Sequence, residues 1–510
     1  MDRYEAAVIG AGPEGLVAYI VLARAGVRVI VLEKSEEPGG RATTLEFHPG
    51  FRTSPYADEL APFPHRLYRS LGLAQRGAVL VPSPASVLVS DDGTSVLFAG
   101  EDRLARSVPA ESAPELLAFR RQMQSARVAL EERATVVSKM RRGWFRPNGT
   151  KDGPAWPSGA WLGDSLETLL SARMASPLLR LHLAADAVCG RAVSPFLAGS
   201  ALHAVAPGVG GSGQSPAGLG RCGRALTELA TASGVTIRCN APVTGIPVSQ
   251  GRAAGVVLGG KEEIGTDAVL SALDLKQTML RLVDWAELPD TLPKRLGRFR
   301  MAGQRARVLF ALDALPDLPF ARESRDAAHG PIHVASSLED ISRTYEAWRR
   351  GAIPVSPLVT LRVPSFADPR LAPIGKAVMT ATLSAIPARL SDGAWTAEKR
   401  DRLVQLALSA AERAMPGVSA RVLATHVLTG PDFEAALGVT AGDLDGGELA
   451  PDQALEFRPF GTAEWQDGRT PIQGLYLGGP SSAPSPFLLG VSGERAALAM
   501  LADFQTGVLR

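Results

Sequence analysis

Three glycines near the N-terminus have the spacing of a dinucleotide-binding turn. The stretch VIGAGPEG places Gly10, Gly12 and Gly15 in the order G-x-G-x-x-G, after an apolar run and before an apolar helix. Gly10 permits a tight turn, Gly12 lets backbone N–H groups approach a pyrophosphate, and Gly15 allows close helix–strand packing. Glu33 ends the next apolar run, where a carboxylate can accept hydrogen bonds from ribose hydroxyls. Together these residues predict a dinucleotide site.

A second glycine turn lies just beyond Glu33. The stretch EKSEEPGGRA contains Gly39, Gly40 and Arg41. NAD and FAD both use the first motif, and a glycine turn followed by an arginine suits a longer dinucleotide that continues past its adenosine. Taken alone, the same residues also fit a surface turn with a solvated arginine.

A third glycine-rich helix start lies near the C-terminus, where the chain reads LYLGGPSSAPSPFLLGVSGERAA. A helix N-terminus stabilises negative charge through free N–H groups and its macrodipole, and a reduced flavin carries negative charge near N1 and the C2 carbonyl. Gly478 and Gly479 would let the chain pass a ribityl-phosphate segment, and Gly490 and Gly493 would let it approach a flat ring. The alternative is a plain strand–loop–helix connection with Ser492 as the N-cap.

No acid–base pair is evident among the remaining polar residues. His329 and His333 are four positions apart, but Gly330 and Pro331 between them break any helix, so no metal site is expected. The other histidines are isolated, and a structural role is expected for them. The residues that are candidates for contact with a substrate, although core or solvent positions explain them equally well, are Arg52, Tyr56, His48 and Phe487.

A β-α-β unit must position the first motif. AAVIG (6–10) predicts a short buried strand, a helix follows to about Ala25, and VRVIVLE (27–33) predicts a second strand. Further along, RVLFALDA (307–314) and AVMTATLSA (377–385) are strand candidates. Between them and the N-terminal unit, the stretch that begins SAPELLAFRR predicts a long amphipathic helix over 112–140, followed by a basic loop over 139–151.

The length and composition bound the class of protein. A chain of 510 residues exceeds what one hydrophobic core usually serves, so at least two domains are expected. The net charge of +2 gives no reason to expect nucleic acid as a partner. The three cysteines form no C-x-x-C pair, which favours a reducing compartment. Because the chain has neither a signal peptide nor 18 uninterrupted apolar residues, we expect a cytoplasmic protein that does not span a membrane.

In the order of its segments, the chain resembles the phytoene-desaturase-like FAD-dependent oxidoreductases, and among them the sub-group named pyridine nucleotide-disulfide oxidoreductase domain-containing protein 2. The stretches that carry the resemblance include PGGRATTLEFHPGFR, LAADAVCGRAVSPFLAGSAL, VPSFADPRLAPIGKAVM and TGPDFEAALGVTAGDLDGGELAPDQALEFRP. The resemblance implies an α/β fold, with a Rossmann-like FAD-binding domain of the glutathione-reductase/amine-oxidase type interleaved with an inserted α+β substrate domain. It also implies FAD as the cofactor.

The resemblance also implies which residues hold FAD. The residues expected at the ADP half are Gly10, Gly12, Pro13, Glu14, Gly15, Glu33, Lys34, Gly40 and Arg41, with the backbone of Val243 at the adenine. The residues expected along the ribityl and flavin end are Gly478, Gly479, Gly490, Val491 and Ser492. The family's tail usually reads GSGxHPGGGVxG, whereas this chain has GGPSSAPSPFLLGVSG. We therefore expect Phe487, Leu488 and Leu489 to reshape the substrate side of the flavin.

The segments divide into two interleaved domains. Residues 1–75, 206–275 and 425–510 are expected to form the FAD-binding domain. Residues 76–205 and 276–424 are expected to form the substrate domain, because their character changes from the β-α-β pattern to an inserted α+β pattern.

The resulting hypothesis is an FAD-dependent oxidoreductase that acts on carbon–carbon bonds of an apolar polyene- or isoprenoid-like small molecule, by desaturation, saturation or double-bond isomerisation. A lipid-soluble substrate leaves a peripheral membrane contact open. One alternative is an amine or amino-acid oxidase, although such enzymes often place aromatic residues against the flavin and this tail offers Phe487 alone. Another is a non-catalytic binding protein of the GDP-dissociation-inhibitor type, which the intact phosphate glycines disfavour.

Overall fold

The computed structural model describes residues 4–79, 81–136, 163–205, 213–214, 218–234, 236–259, 261–322 and 324–509. The helices are α1 (Pro13–Arg24), α2 (His65–Ser70), α3 (Glu101–Arg106), α4 (Ala113–Val136), α5 (Leu166–Ser171), α6 (Pro177–Val188), α7 (Gly220–Ala232), α8 (Leu292–Arg298), α9 (Leu338–Arg349), α10 (Ala397–Ala414), α11 (Gly430–Leu437) and α12 (Val491–Gln505).

The strands, in chain order, are β1 (Ala6–Ile9), β2 (Val29–Leu32), β3 (Leu45–His48), β4 (Phe51–Thr53), β5 (Val81–Pro82), β6 (Ala85–Ser90), β7 (Gly93–Phe98), β8 (Gly213–Gln214), β9 (Thr236–Arg238), β10 (Val243–Gly245), β11 (Val248–Ser249), β12 (Arg252–Ala253), β13 (Gly255–Leu258), β14 (Glu262–Gly265), β15 (Ala268–Ser271), β16 (Arg305–Leu312), β17 (Ile332–Val334), β18 (Val359–Arg362), β19 (Ala377–Ser384), β20 (Val422–Leu428) and β21 (Leu475–Leu477).

A five-stranded parallel sheet forms the first core, in the order β21-β15-β1-β2-β9. The strands β1 (AAVI) and β2 (VIVL) are apolar at every position and fully buried, as expected of parallel strands covered on both faces. Between them α1 begins with Pro13 in its first turn, where a missing N–H costs nothing. The predicted β-α-β unit is confirmed.

A seven-stranded mixed sheet forms the second core, in the order β20-β16-β19-β18-β17-β6-β7. Its longest pair, β16 and β19, is antiparallel and in register from Arg305↔Ser384 to Leu312↔Ala377. The predicted strands at 307–314 and 377–385 are therefore confirmed to within two residues. The helix α10 contributes Leu403, Ala407 and Ala411 to the apolar cluster on this sheet.

The predicted long helix is present as α4, whose first residue is one position after the predicted start. Its predicted last residues, 137–140, and the basic loop at 139–151 lie outside the described residues. In the part of the chain that is described, no helix combines the length and the apolar composition that crossing a bilayer requires.

The five parallel strands all come from segments that the sequence assigned to the FAD-binding domain. Six of the seven strands in the mixed sheet come wholly from the segments assigned to the substrate domain. The exception is β20 (Val422–Leu428), because the predicted boundary between 424 and 425 falls inside it. The domain boundaries stay a prediction, and a boundary placed after β20 would keep that strand with its sheet.

Candidate active site

The first glycine turn has the geometry that a pyrophosphate needs. A Cβ atom at Gly15 would lie 2.0 Å from the carbonyl oxygen of Gly10, so only glycine lets the helix pack this closely on the strand. A Cβ at Gly12 would find no protein atom within 4 Å. The space in front of Gly12 is therefore open, and a phosphate could approach the backbone there.

Glu33 is held at the end of β2 in an orientation that leaves acceptor capacity. Its carboxylate, which is buried, accepts hydrogen bonds from Ala11 N at 2.7 Å and Ser35 N at 2.9 Å. A carboxylate has about four lone-pair positions, so two remain for ribose hydroxyls. The backbone N–H of Ala241 also donates to the Glu33 carbonyl, which brings the start of β10 at Val243 towards the same place.

Two residues expected at the ADP half have partners within the protein. The Lys34 ammonium donates to the Ala435 carbonyl at 2.9 Å, and burial lowers the pKa of Lys34. Arg41 donates through Nη1 to the Leu444 carbonyl at 2.7 Å. Arg41 also lines the central cavity described below.

The start of α12 is capped by Glu14 from α1. Gly490 N and Gly493 N donate to the two carboxylate oxygens of Glu14, at 2.9 and 3.1 Å. Burial raises the pKa of Glu14 to about 7, although these two backbone hydrogen bonds oppose the shift. Glu14 is expected to contact the cofactor at the first glycine turn. Its side chain therefore also contacts the start of α12, the helix predicted to face the flavin.

Two N–H groups remain available at the same helix terminus. Among the described residues, no acceptor is found for the backbone N–H of Val491 or Ser492. The N-cap is Gly490 (φ +81°), and the Ser492 hydroxyl donates instead to the Ser482 carbonyl at 2.9 Å. The alternative that made Ser492 the N-cap is therefore wrong. Free N–H groups at Val491 and Ser492 suit a flavin carbonyl.

The loop before α12 turns its large side chains into the core. Phe487, Leu488 and Leu489 are buried in the main apolar cluster, and Leu489 N donates to the Pro62 carbonyl at 3.0 Å. Of this loop, Pro486 lines the central cavity. None of these three side chains lines the central cavity, and their expected effect on the substrate side of the flavin stays a prediction.

A cavity of about 150 Å³ lies against the mixed sheet. Arg41 and Pro486 line it from the side of the glycine turns, and strands β16 to β19 line it from the mixed sheet. The strand register explains the polar lining of this face. Cross-strand pairing places one polar row across four strands, through Arg307↔Thr382, Thr382↔Thr360 and Thr360↔His333.

Two of the buried arginines in the cavity are neutralised by acids from the segment after β4. Arg307 makes two hydrogen bonds of 2.7 Å to the carboxylate of Asp58, and Arg362 pairs with Glu59. Burial alone would raise the pKa of Asp58, but the adjacent guanidinium of Arg307 outweighs it and lowers the pKa. Asp58 is therefore ionised, and both pairs are structural elements of the wall.

A chain of hydrogen bonds runs from α6 to the cavity. His333 Nε2 lies 2.8 Å from the Asp186 carboxylate, and His333 Nδ1 lies 2.9 Å from the hydroxyl of Thr360. Cys189 Sγ lies 3.0 Å from the same hydroxyl. In the neutral tautomer that donates from Nε2 to the Asp186 carboxylate, Nδ1 is the acceptor for the Thr360 hydroxyl.

A third group of charges, around Asp445, has two arginines facing one carboxylate. Arg305 and Arg191 both face the carboxylate of Asp445: Arg305 makes a hydrogen-bonded ion pair with it, and Arg191 Nε lies 3.8 Å away. Burial would raise the pKa of Asp445, but Arg305, Arg191 and the more distant guanidinium groups outweigh it and lower the pKa to about 2. Asp445 is therefore an ionised carboxylate shared by two arginines.

The candidates for substrate contact are distributed over the structure. Tyr56 lines the cavity, with its ring 6.3 Å from that of Phe433. Arg52 is exposed and paired with Glu46 at 3.3 Å, and His48 packs its ring against Phe51 on the β3-β4 hairpin. Phe487 lies in the core. The structure brings Tyr56 alone of these four to the cavity.

Several residues of the cavity were not singled out from the sequence. Their signal was a charged residue inside an apolar run, as with Asp186 in LAADAV and Arg305 and Arg307 in RARVLFAL. A buried charge in such a run needs a partner, and that requirement marks a site. For His333, the sequence offers only its spacing from His329, which predicts no metal site.

The turn, the acid on β2 and the two free N–H groups on α12 fit FAD at both of its ends. The Rossmann-like sheet with these features defines an FAD-dependent oxidoreductase of the amine-oxidase superfamily. The family model "Flavin containing amine oxidoreductase" matches residues 15–302, which is more than half of the chain, and the chain belongs to this family. Its cofactor is FAD.

Relatives cover nearly the whole chain. The rat protein named pyridine nucleotide-disulfide oxidoreductase domain-containing protein 2 is 30% identical over 99% of this chain and 94% of its own. A phytoene desaturase (lycopene-forming) of Pseudescherichia vulneris is 25% identical over 98% and 99%. A putrescine oxidase structure matches the fold with a TM-score of 0.59 at 16% identity, over 99% of both chains. The predicted fold class and the phytoene-desaturase-like family are confirmed.

Proposed function

We propose that this protein moves hydride between FAD and a carbon atom of a small molecule in the central cavity, in a reaction that forms, removes or shifts a carbon–carbon double bond. When bound, FAD supplies the hydride acceptor or donor. Among the protein's own groups, the observation that carries the proposal is the chain of hydrogen bonds from Asp186 through His333 to Thr360, whose hydroxyl group lies at the cavity.

His333 would take the proton that accompanies hydride loss from the neighbouring carbon. The proton passes to the Thr360 oxygen while the Thr360 hydroxyl proton moves to His333 Nδ1. Asp186 holds the proton on Nε2 and stabilises the imidazolium that results. Removal of one proton and one hydride from adjacent carbons leaves a double bond, and the reverse steps saturate it.

The apolar, isoprenoid-like substrate expected from the sequence is the alternative within the same reaction class. It is supported by the phytoene desaturase among the relatives. The cavity volume of about 150 Å³ supports a smaller molecule, since drug-sized ligands occupy roughly 300–1,000 Å³. A peripheral membrane contact belongs to this alternative and remains a proposal with it.

Oxidation of an amine or amino acid is the second candidate function. The family name supports it, but the solved amine-oxidase structures are alike in fold only. Tyr56 is the single aromatic side chain among the described residues that line the cavity, and that favours the carbon–carbon reaction.

The test uses the FAD-loaded protein under anaerobic conditions, with saturated and unsaturated carboxylic acids, amines and an isoprenoid hydrocarbon as probes. Bleaching of the flavin band by a probe identifies the electron donor. His333→Gln should slow that bleaching about 100- to 10,000-fold and leave FAD content unchanged, because a general base contributes that much. The matched control is His329→Gln, four positions away on the chain.

Bleaching by amines alone would replace the proposal with amine oxidation. A protein that takes up no FAD would contradict the flavin enzyme altogether. An unchanged bleaching rate in His333→Gln would exclude His333 as the base.

A further inference from the structure

Two of the guanidinium groups that line the cavity share a single carboxylate. Arg307 is paired with Asp58, and Arg362 is paired with Glu59. The resemblance places Arg41 at the ADP half of FAD. The remaining charged groups around Asp445 that line the cavity are Arg191 and Arg305, which are two guanidinium groups on one carboxylate.

Arg191 is buried and incompletely bonded. Its exposed fraction is 8%, and Nη1 donates to the Ala187 carbonyl at 3.2 Å. Its Nε is buried, and among the described residues it has no hydrogen-bond acceptor, because the nearest carboxylate oxygen of Asp445 is 3.8 Å away. A buried guanidinium N–H without an acceptor is costly, and a ligand that supplied one would remove that cost.

The structure around Asp445 indicates which kind of ligand fits. A planar carboxylate already lies between the two guanidinium groups, and Arg binds carboxylates through parallel N–H donors. The loop that carries Asp445 is fixed, because the buried guanidinium of Arg458 donates to the Asp445 carbonyl at 2.6 Å and to the Pro480 carbonyl at 2.9 Å. The arginine pair is therefore preorganised.

We propose that Arg191 and Arg305 bind a carboxylate of the substrate, so that the protein acts on a small carboxylic acid rather than on a hydrocarbon. The proposal rests on the proposed function for its location, since both use the central cavity. A bound carboxylate whose charge is neutralised makes the adjacent C–H more acidic. His333 lines the same cavity, as the base for that proton.

Binding of succinate and acetate tests the proposal directly, measured as the rise in melting temperature and as a titration of the flavin spectrum. Both the FAD-loaded protein and the apoprotein are measured. Succinate should bind the wild type, and Arg191→Gln should weaken it about 10- to 100-fold, the loss of a charge-assisted contact. Arg191→Lys should restore part of the affinity, and the exposed Arg322→Gln should leave it unchanged.

Asp445→Asn distinguishes carboxylate binding by the two arginines from a purely structural role. This isosteric change removes the internal competitor for the two arginines, so succinate should bind several-fold more tightly than to the wild type. A residue with a purely structural role would not give tighter binding. If Arg191→Gln does not fold, Asp445→Asn still decides the question.

Equal succinate binding by the wild type, Arg191→Gln and Asp445→Asn would overturn the proposal. Tighter binding of inorganic phosphate than of succinate would replace the carboxylate with a phosphate. A melting-temperature shift with limonene but not with succinate would favour the hydrocarbon alternative. FAD uptake is scored separately by the flavin spectrum, so a protein that binds FAD and no carboxylate contradicts this inference alone.

Discussion

Glu14 links the two helix starts through a single carboxyl group. Its oxygens accept from Gly490 and Gly493, and the same residue lies in the first turn of α1, where the sequence places the cofactor's phosphates. Burial disfavours the charged form of this group, and the two N–H donors favour it. The protonation state of one residue therefore affects both ends of the cofactor site.

Glu14 gives the protein a pH dependence of stability. Burial raises its pKa to about 7 in the folded protein, above the ordinary value of 4.5. The folded state therefore holds a proton that the unfolded state releases, so this contribution is fully present below pH 4.5 and is lost as the pH rises to about 7. The loss is of the order of 3 kcal/mol, since one pKa unit is ~1.4 kcal/mol.

Glu14→Gln should therefore flatten the pH dependence of the free energy of unfolding between pH 4.5 and 7, measured by urea titration at several pH values. Burial also raises the pKa of Asp443 to about 7. The free energy of unfolding of Glu14→Gln should therefore still fall with rising pH, but less steeply than that of the wild type. Glu339→Gln, on the exposed side of α9, is the control and should leave the slope unchanged. An unaltered slope in Glu14→Gln would assign the whole dependence to other groups.

At the scale of elements, local patterns were predictable and cross-strand patterns were not. The turn at Gly10–Gly15, α1 and β2 follow from neighbouring residues, because glycine spacing and apolar runs act over a few positions. The polar row of Arg307, Thr382, Thr360 and His333 depends on the register of four strands that are far apart in sequence. No local signal fixes that register.

The N-terminal cap of α12 is a second feature that could not be predicted from the sequence. Ser492 is a good N-cap residue by type, but its hydroxyl bonds to the Ser482 carbonyl on the preceding loop. The helix instead begins after Gly490, which adopts a left-handed conformation. The tertiary contact of the loop decided the outcome, and the sequence contains no local trace of that contact.

Two helical glycines predict opposite effects of the same substitution. A Cβ at Gly493 would lie 2.0 Å from the Glu14 carbonyl oxygen, so Gly493→Ala must separate α12 from α1, and we expect a loss of about 2 kcal/mol or more and weaker FAD binding. Gly297 in α8 is exposed and has free space around a Cβ. Gly297→Ala should stabilise the protein by ~0.5–1 kcal/mol. Thermal and urea unfolding of both variants, with FAD titration, test the pair.

If Gly493→Ala were as stable as the wild type and bound FAD equally well, the close approach of α1 and α12 would not be needed for the site.

At the scale of the whole molecule, we expect FAD to stabilise the folded protein by binding segments that are far apart in sequence. The expected contacts come from α1, β2, the start of β10 and α12, which belong to one packed half of the protein. A ligand that binds only the folded state stabilises it by RT ln(1 + [L]/Kd), which is ~2.7 kcal/mol at 100 times Kd. The melting temperature of the apoprotein should therefore rise with FAD concentration.

Riboflavin is the control for that experiment, because it lacks the pyrophosphate that Gly12 and the start of α1 would bind. An equal rise with riboflavin and FAD would mean that the front motif contributes nothing to affinity.

The pairing of α1 with α12 also has a consequence for synthesis. A ribosome adds roughly 5–20 residues per second, so the segment from β21 to α12 emerges about 20–90 s after α1. During that interval β15 has no β21 beside it, and the apolar face of α1 that α12 covers has no partner. The cofactor site can be completed only after α12 has emerged, so FAD cannot stabilise the emerging chain before that point.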